Sequence, residues 1–477
     1  MSANTEKFLP PPGHHGPRRT MWRYIHVSGG AVIGLVVAAC ADNPAAPVAG
    51  PEATARSQTG IHGPSTAADF DPGVPLAYYQ RSLTYTKQTA GFTPPVQARA
   101  FGYMGLALYE SVIKGMPDHR SVASQLNGVG ALPQANGIPY NWALVANAAM
   151  AEVMRGLWGD QTNKAAANTA DLSALEDSLA SVYSVGVPPG IAKLSSDFGR
   201  SVGAAVFATS RDDGGDRSYL TNFPTSYTPP VGPGFWVPAP STQVAMQPYW
   251  ATTVGTLALS NAAQCSPGPP PAYSEDHNSQ FYSEANYDYQ LSQNLTQEQR
   301  TIAQYWADGP GTISGPGHAL AIVGEIVMQQ HANLAQAAEA YARAGIADAD
   351  ALTGIWQTKY QYNLIRPITY IQRVIDQSWS PLLPTPPFPE YVSAHSGQSA
   401  AVAATLEALF GTNVPFVDHA HDADGFASRS FDHIFAAAEE AGISRLYAGI
   451  HFQSGNLNGR ALGQCVAARV NSLNWRR

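Results

Sequence analysis

Charge is scarce in this chain. Only 13% of its 477 residues are Asp, Glu, Lys or Arg, and the acids outnumber the bases to leave a formal net charge of -8. No basic stripe appears, which excludes a general nucleic-acid binder, because grip on a phosphate backbone needs clustered Lys and Arg. Cysteine is scarcer, at three residues, so neither a disulfide-rich scaffold nor a cysteine-built metal site is available. No apolar run of 18 or more residues follows residue 40, so the body carries no spanning helix of its own. An internal repeat of fixed period is also missing. So is the period-two alternation that half-buried strands leave.

The abundant residues are apolar ones, at 44%, together with 37 prolines and 43 glycines. That balance suits a well-buried globular chain with long ordered connections between helices. Residues 1–40 read as a lipoprotein-type signal peptide. Arg18, Arg19 and Arg23 precede a short apolar run from Ala31 to Ala39, which ends in Val37-Ala38-Ala39-Cys40. The ending resembles a bacterial lipoprotein cleavage box, with Cys40 as the lipidated first residue of the mature chain. Export to the periplasm or cell envelope follows, with membrane contact only through that lipid anchor. It leaves Cys265 and Cys465, for which a disulfide is open; spacing alone does not decide it.

Residues 41–72, rich in Ala, Pro, Gly, Ser and Thr, read as a flexible tether. Helical periodicity sets in at Val74 and marks an N-terminal helical region over 73–213, with helices near 96–112, 141–157, 162–184 and 190–209. Residues 214–290 crowd prolines with Phe235, Trp236, Tyr249, Trp250 and Tyr273, and predict an ordered wrap across the active face. A C-terminal bundle over 291–477 has helices resuming near Thr296, then 338–344, 348–365, 395–410 and 431–450. The fold class is all-α, helical bundles with long Pro/Gly-rich loops.

Four local sets carry the chemistry. Lys359 and Arg366 stand seven residues apart, which on a helix places both on one face about 10 Å apart in rise. Pro367 is expected to end that helix. Like charges aimed at one spot repel unless an anion fills it; alone, the pair reads first as a solvated basic face. Ser393-Ala394-His395 sits at a helix start, where backbone N–H groups and the dipole favour an anion; Ser393 also suits a plain N-cap. Ser444-Arg445-x5-His451 adds a second arginine and histidine, provided the helix bends or ends near Gly449. Asp308, in its glycine-rich turn, is a candidate to orient one arginine. Together these are the groups a tetrahedral oxyanion requires: cations to neutralise it, amides and a hydroxyl for its oxygens, and two imidazoles.

Lys-x6-Arg-Pro at 359–367, a Ser-Gly-His-like box at 393–395 and Ser-Arg-x5-His at 444–451 resemble the three-part signature of the vanadium-dependent haloperoxidase and acid phosphatase superfamily. The resemblance spans residues 296–465 and, more weakly, the helices after 90. Trp356 and Phe388 occupy relative places where chloroperoxidases carry the aromatics of their halide pocket. The resemblance implies a vanadium chloroperoxidase/acid phosphatase-like bundle and a vanadate cofactor. It further implies that His451 binds the metal, while Lys359, Arg366, Ser393, the Ala394 amide and Arg445 hold the vanadate oxygens. His395 becomes the acid–base residue, Lys359 polarises bound peroxide towards halide attack, and Asp308 orients an arginine. The implied partners are hydrogen peroxide, a halide and small organic acceptors, with a homodimer left open.

Two departures stand out. Ala394 replaces the usual glycine, which adds a methyl group where a glycine-only backbone angle could be needed. Four residues after His451 the family commonly has an aspartate that orients the histidine; here Gly455 stands, followed by Asn456, whose side chain or a carbonyl could substitute. Two alternatives are therefore carried: a phosphatase working through a phosphohistidine, and a non-catalytic lipid-anchored oxyanion-binding protein. The halide, the organic acceptor and the oligomeric state are not set by these residues.

Overall fold

A computed structural model describes residues 65–477 apart from Ile138, residues 160–164 and Thr242. The signal segment, Cys40 and most of the stretch read as a tether lie outside the described residues. Packed chain already begins within that stretch, since Ala67 is fully buried in a 3-10 turn at Ala67–Asp69.

The described residues form fourteen helices and one small hairpin. The helices are α1 Gly73–Gln88, α2 Pro94–Val112, α3 Trp142–Gly159, α4 Ala165–Tyr183, α5 Pro189–Arg211, α6 Trp250–Thr253, α7 Gln280–Gln293, α8 Gln297–Tyr305, α9 Ser314–Gln329, α10 Leu334–Tyr362, α11 Pro367–Val374, α12 Ala394–Phe410, α13 Ile434–Tyr447 and α14 Gln453–Asn471. Strands β1 Phe416–Asp418 and β2 Arg429–Phe431 pair antiparallel, with Phe416 opposite Phe431. The all-α class holds. No helix among the described residues is long and apolar enough to cross a membrane.

α10 is the axis of the fold. It packs on α2 at one side and on α12 and α14 at the other, while α3 and α5 build the outer layer behind α2. Two helices expected over 338–344 and 348–365 are one continuous helix. Gly345, between the two expected spans, is a packing position: a Cβ there would lie 2.5 Å from Phe101 O of α2, and one on Gly105 would lie 2.5 Å from Tyr341 O. Glycine in a helix interior costs roughly 1 kcal/mol relative to alanine, offset here by backbones in near contact. α7 precedes the predicted resumption at Thr296, inside the proline-rich stretch, and α14 adds a terminal helix.

The long connection between α5 and α7 lies against the loops that carry the candidate site. Trp236 N–H donates to Asn363 O at 2.6 Å, Ile365 N–H to Gly234 O at 3.0 Å, and Met246 N–H to Pro387 O at 2.9 Å. Trp236 and Trp250 are buried in it, whereas Phe235 and Tyr249 remain exposed. Cys265 and Cys465 form a disulfide with Cα atoms 5.7 Å apart, tying this connection to α14. A cross-link closing so long a loop is worth about 2–4 kcal/mol.

Candidate active site

Lys359 and Arg366 converge, but not from one helix. α10 ends at Tyr362, where Asn363 adopts a left-handed conformation (φ 46°, ψ 40°) and returns its N–H to Lys359 O. Arg366 is extended (φ -86°, ψ 154°) and Pro367 opens α11. A residue before proline avoids the helical region, and proline at the first helical position sacrifices no hydrogen bond. Pro367 thus starts a helix, contrary to the expectation that it stops one. Both cations are fully buried. Lys359 Nζ donates to Pro389 O and Glu390 O, each at 2.9 Å. Arg366 donates through Nε to Phe388 O at 2.9 Å and through Nη1 to Ile450 O at 2.7 Å. Its Nη2 is buried without a hydrogen-bond partner. Burial, reinforced by Arg366, holds the Lys359 ammonium well below the ordinary lysine range.

Ser393 caps α12, its Oγ accepting from Ser396 N–H at 3.4 Å and from Ser396 Oγ at 3.0 Å. Ala394 begins the helix proper and is not among the residues with positive φ. The backbone there needs no glycine, so the substitution is tolerated without strain and the helix-start amides remain. His395 is the most open of the set, with 19% of its side chain exposed. Burial, then Arg445, pushes its imidazole down to about 4, against Asp308.

Arg445 reaches the same place because α13 ends at Tyr447 and Gly449 turns the chain at φ 72°. It donates through Nε to Ser444 Oγ at 2.9 Å and through Nη2 to Trp306 O. Asp308 therefore does not hydrogen-bond the arginine it was expected to orient. Its carboxylate instead meets three imidazoles: His318 Nδ1 at 3.2 Å, His421 Nε2 at 3.0 Å and His395 Nε2 at 3.1 Å. Asp308 and Arg445 still act on each other through space. Burial pushes Asp308 up, but His318 and its companions outweigh it and hold the carboxyl well below the usual range.

His451 follows α13 in the turn before α14. Its Nε2 faces Arg366 Nη1 at 3.1 Å and its Nδ1 faces Glu390 Oε1 at 2.7 Å. A guanidinium can only donate, so Nε2 presents its lone pair and Nδ1 carries the proton that faces Glu390. Burial, with Arg366, Lys359 and Arg445 adding to it, keeps the ring far below the ordinary histidine range and hence neutral. Glu390 thus fills the place of the missing aspartate. Asn456, the expected substitute, accepts from Ser396 Oγ instead. The exchange is steric as well as electrostatic: a side chain at position 455 would run into Glu390 Oε1, so Gly455 makes room for it. Glu390 also accepts from Phe452 N–H at 3.1 Å. Burial raises its carboxyl to about 7, with Lys359 and Arg366 pulling the other way.

Residues 372–475 match the family of the VCPO second helical-bundle domain. Across 85% of this chain and 97% of the other, the structure is similar to that of a bacterial vanadium-dependent iodoperoxidase, with 32% sequence identity and a TM-score of 0.76. The chain belongs to the vanadium-dependent haloperoxidase family. Apo and holo bacterial vanadium-dependent chloroperoxidases share its fold at 14% and 16% identity, with TM-scores of 0.59 and 0.56. These likenesses cover 80% of this chain in each case, and 94% and 92% of the others. No curated protein matches the chain.

Vanadate, the cofactor of this haloperoxidase family, suits the donor set. Arg366 Nη2 is an orphaned, buried donor that an oxyanion satisfies, Lys359 is a destabilised buried ammonium, and His451 Nε2 offers a lone pair. Trp356 and Phe388 lie beside it, ring centroids 5.2 Å apart, with Lys359 Nζ and Arg366 Cζ 4.9 and 5.0 Å from the Phe388 centroid. Glu390 is the site residue that sequence reasoning missed. Loss of an outer-shell partner of a metal-binding histidine typically costs about 10–100-fold in affinity. Glu390→Gln is expected to weaken vanadate binding by that factor, read by equilibrium titration; unchanged affinity would remove Glu390 from this role.

Proposed function

We propose that this haloperoxidase oxidises halide with hydrogen peroxide to hypohalous acid, with iodide foremost, and that the freed oxidant halogenates small organic acceptors. His451 Nε2 is the metal ligand in this reading. Lys359, Arg366, Arg445, Ser393 and the Ala394 amide hold the vanadate oxygens. Bound vanadate supplies a Lewis-acidic centre that activates peroxide without changing its oxidation state. There His395 would take and return the proton, Lys359 would polarise peroxide towards halide attack, and Trp356 and Phe388 would wall the halide side.

The observation that supports this most directly is Arg366. It is fully buried, with Nη1 on the His451 nitrogen and Nη2 without a partner, so its charge lacks an anion where the lone pair points. Likeness to an iodoperoxidase at 32% identity supports iodide. Glu390 does restore an orienting carboxylate that a phosphohistidine mechanism also needs, so the assay must include that chemistry. Purified protein loaded with orthovanadate should oxidise iodide faster than bromide and chloride in a peroxide-dependent dimedone assay. Silence with all three halides, together with phosphate-ester hydrolysis by vanadate-free protein, would favour the phosphatase. Tight vanadate binding with silence in both assays would favour the non-catalytic reading.

Export with lipid attachment at Cys40 belongs to the same proposal. The Cys265–Cys465 disulfide supports it, because such bonds persist in oxidising compartments. Cys40→Ser should release the protein from the membrane fraction; unchanged fractionation counts against the anchor.

A further inference from the structure

A second cluster lies behind His395 that the vanadate cage does not use. One carboxylate oxygen of Asp308, one ring nitrogen of His318 and one of His421 all lie within 4.8 Å of one another, and all three residues are buried. They come from three separate places: the turn after α8, the first turns of α9, and the loop of the β1–β2 hairpin. Nothing local forces such a meeting.

The outer side of each imidazole is as telling as the inner side. His318 Nε2 lies 2.8 Å from Asp418 Oδ2, and His421 Nδ1 lies 2.9 Å from Asp424 Oδ2. Histidines that ligate a metal almost always give their other N–H to a carboxylate or carbonyl, which fixes tautomer and ring orientation. Both imidazoles here have that support, so both are set to present a nitrogen inward. The inward nitrogens face one carboxylate: His318 Nδ1 is 3.2 and 3.3 Å from the two Asp308 oxygens, and His421 Nε2 is 3.0 Å from Oδ1. Two donors bound tetrahedrally to one ion at 2.0–2.1 Å stand about 3.3 Å apart, so the His318 spacing suits a shared ion and the His421 nitrogen needs to move by only about 0.3 Å.

The outer carboxylates are themselves held in place: Asp418 Oδ1 accepts from Ala420 N–H at 2.9 Å, and Asp424 is paired with Lys87 Nζ at 3.0 Å. His395, whose Nε2 is 3.1 Å from Asp308 Oδ2, keeps that contact and stays outside the donor set. We propose that Asp308, His318 and His421 form a binding site for a divalent cation of the zinc class, separate from the vanadate cage. Nitrogen and carboxylate donors in this number suit zinc or cobalt better than calcium or magnesium, which take oxygen. The site borders the catalytic machinery, because an ion there engages the carboxylate against which His395 rests.

The test uses the full chain, stripped with chelator and never exposed to vanadate, so its outcome is independent of the halide chemistry. Titration with Co2+ and Zn2+ is followed by calorimetry, by metal analysis after gel filtration, and by the visible absorption of four-coordinate cobalt. One equivalent should be retained, and His421→Gln should abolish retention. Asp424→Asn alters a partly exposed outer residue whose loss the fold tolerates; it should weaken binding about 10–100-fold. His451→Ala should leave the stoichiometry unchanged. Failure of the wild-type protein to retain an ion, or equal retention by His421→Gln and Asp424→Asn, would overturn the proposal.

Discussion

His451→Ala is expected to abolish vanadate binding and, with it, halide oxidation. Its Nε2 is a lone pair held ready by two opposing contacts, Glu390 at Nδ1 and Arg366 Nη1 on the metal side. Alanine removes the donor and leaves the cations with nothing to fasten the anion to. The loss should exceed the roughly 10–100-fold that an outer-shell change costs, because in the proposed arrangement the ligand itself is gone. Binding is read by titration calorimetry or by the vanadium resonance of the protein-bound anion. The variant should still fold. Glu390 keeps its Phe452 N–H and the two neighbouring cations, and Arg366 Nη1 keeps Ile450 O, so the deficit is two buried hydrogen bonds, about 1–3 kcal/mol each. A folded His451→Ala protein that binds vanadate with wild-type affinity would place the ligand elsewhere.

The convergence of these side chains is legible in motif spacing. Lys359, Arg366, Ser393, Arg445 and His451 stand in short patterns whose chemistry survives errors in local conformation. Indeed Lys359 and Arg366 meet although no single helix joins them: Asn363 and Pro367 divide the segment into two elements, and the turn between them still brings both side chains inward. Glu390, His318 and His421 were not legible, and for one shared reason. Each has a partner far along the chain: Glu390 meets His451 sixty-one residues on, His421 meets Asp308 more than a hundred residues back, and His318 meets Asp418 a hundred residues on. No periodicity records such a meeting. A clue existed in Gly455, since a histidine that lacks its usual aspartate must send its Nδ1–H somewhere. The continuous α10 was hidden likewise: Gly345, between the two expected spans, packs against the α2 backbone.

His395→Ala should behave differently from His451→Ala. His395 lies at the opening of the cage, and its Nε2 leans on Asp308. With Nε2–H donated to that carboxylate, Nδ1 bears the lone pair that can take a proton from peroxide. The overall reaction, H2O2 + X- + H+ giving HOX + H2O, requires protons to be moved within each turnover. A positioned acid–base group contributes about 10²–10⁴-fold, so kcat should fall by that factor while vanadate affinity stays within about tenfold of wild type. The pH profile separates this from a structural loss. Burial and Arg445 push His395 down to about 4 in the vanadate-free protein, and a bound oxyanion acts against Arg445 to raise it. As pH falls through the resulting value the imidazole becomes protonated, the base is lost, and kcat/KM declines. Wild type should show that acid limb with an apparent pKa above about 4, and His395→Ala should lack it. Asp308→Asn, which weakens the acceptor at Nε2, should shift the limb and leave vanadate bound. Were His395→Ala and His451→Ala to lose vanadate equally, both histidines would belong to the binding of the anion, and the proton would have to be carried by another group.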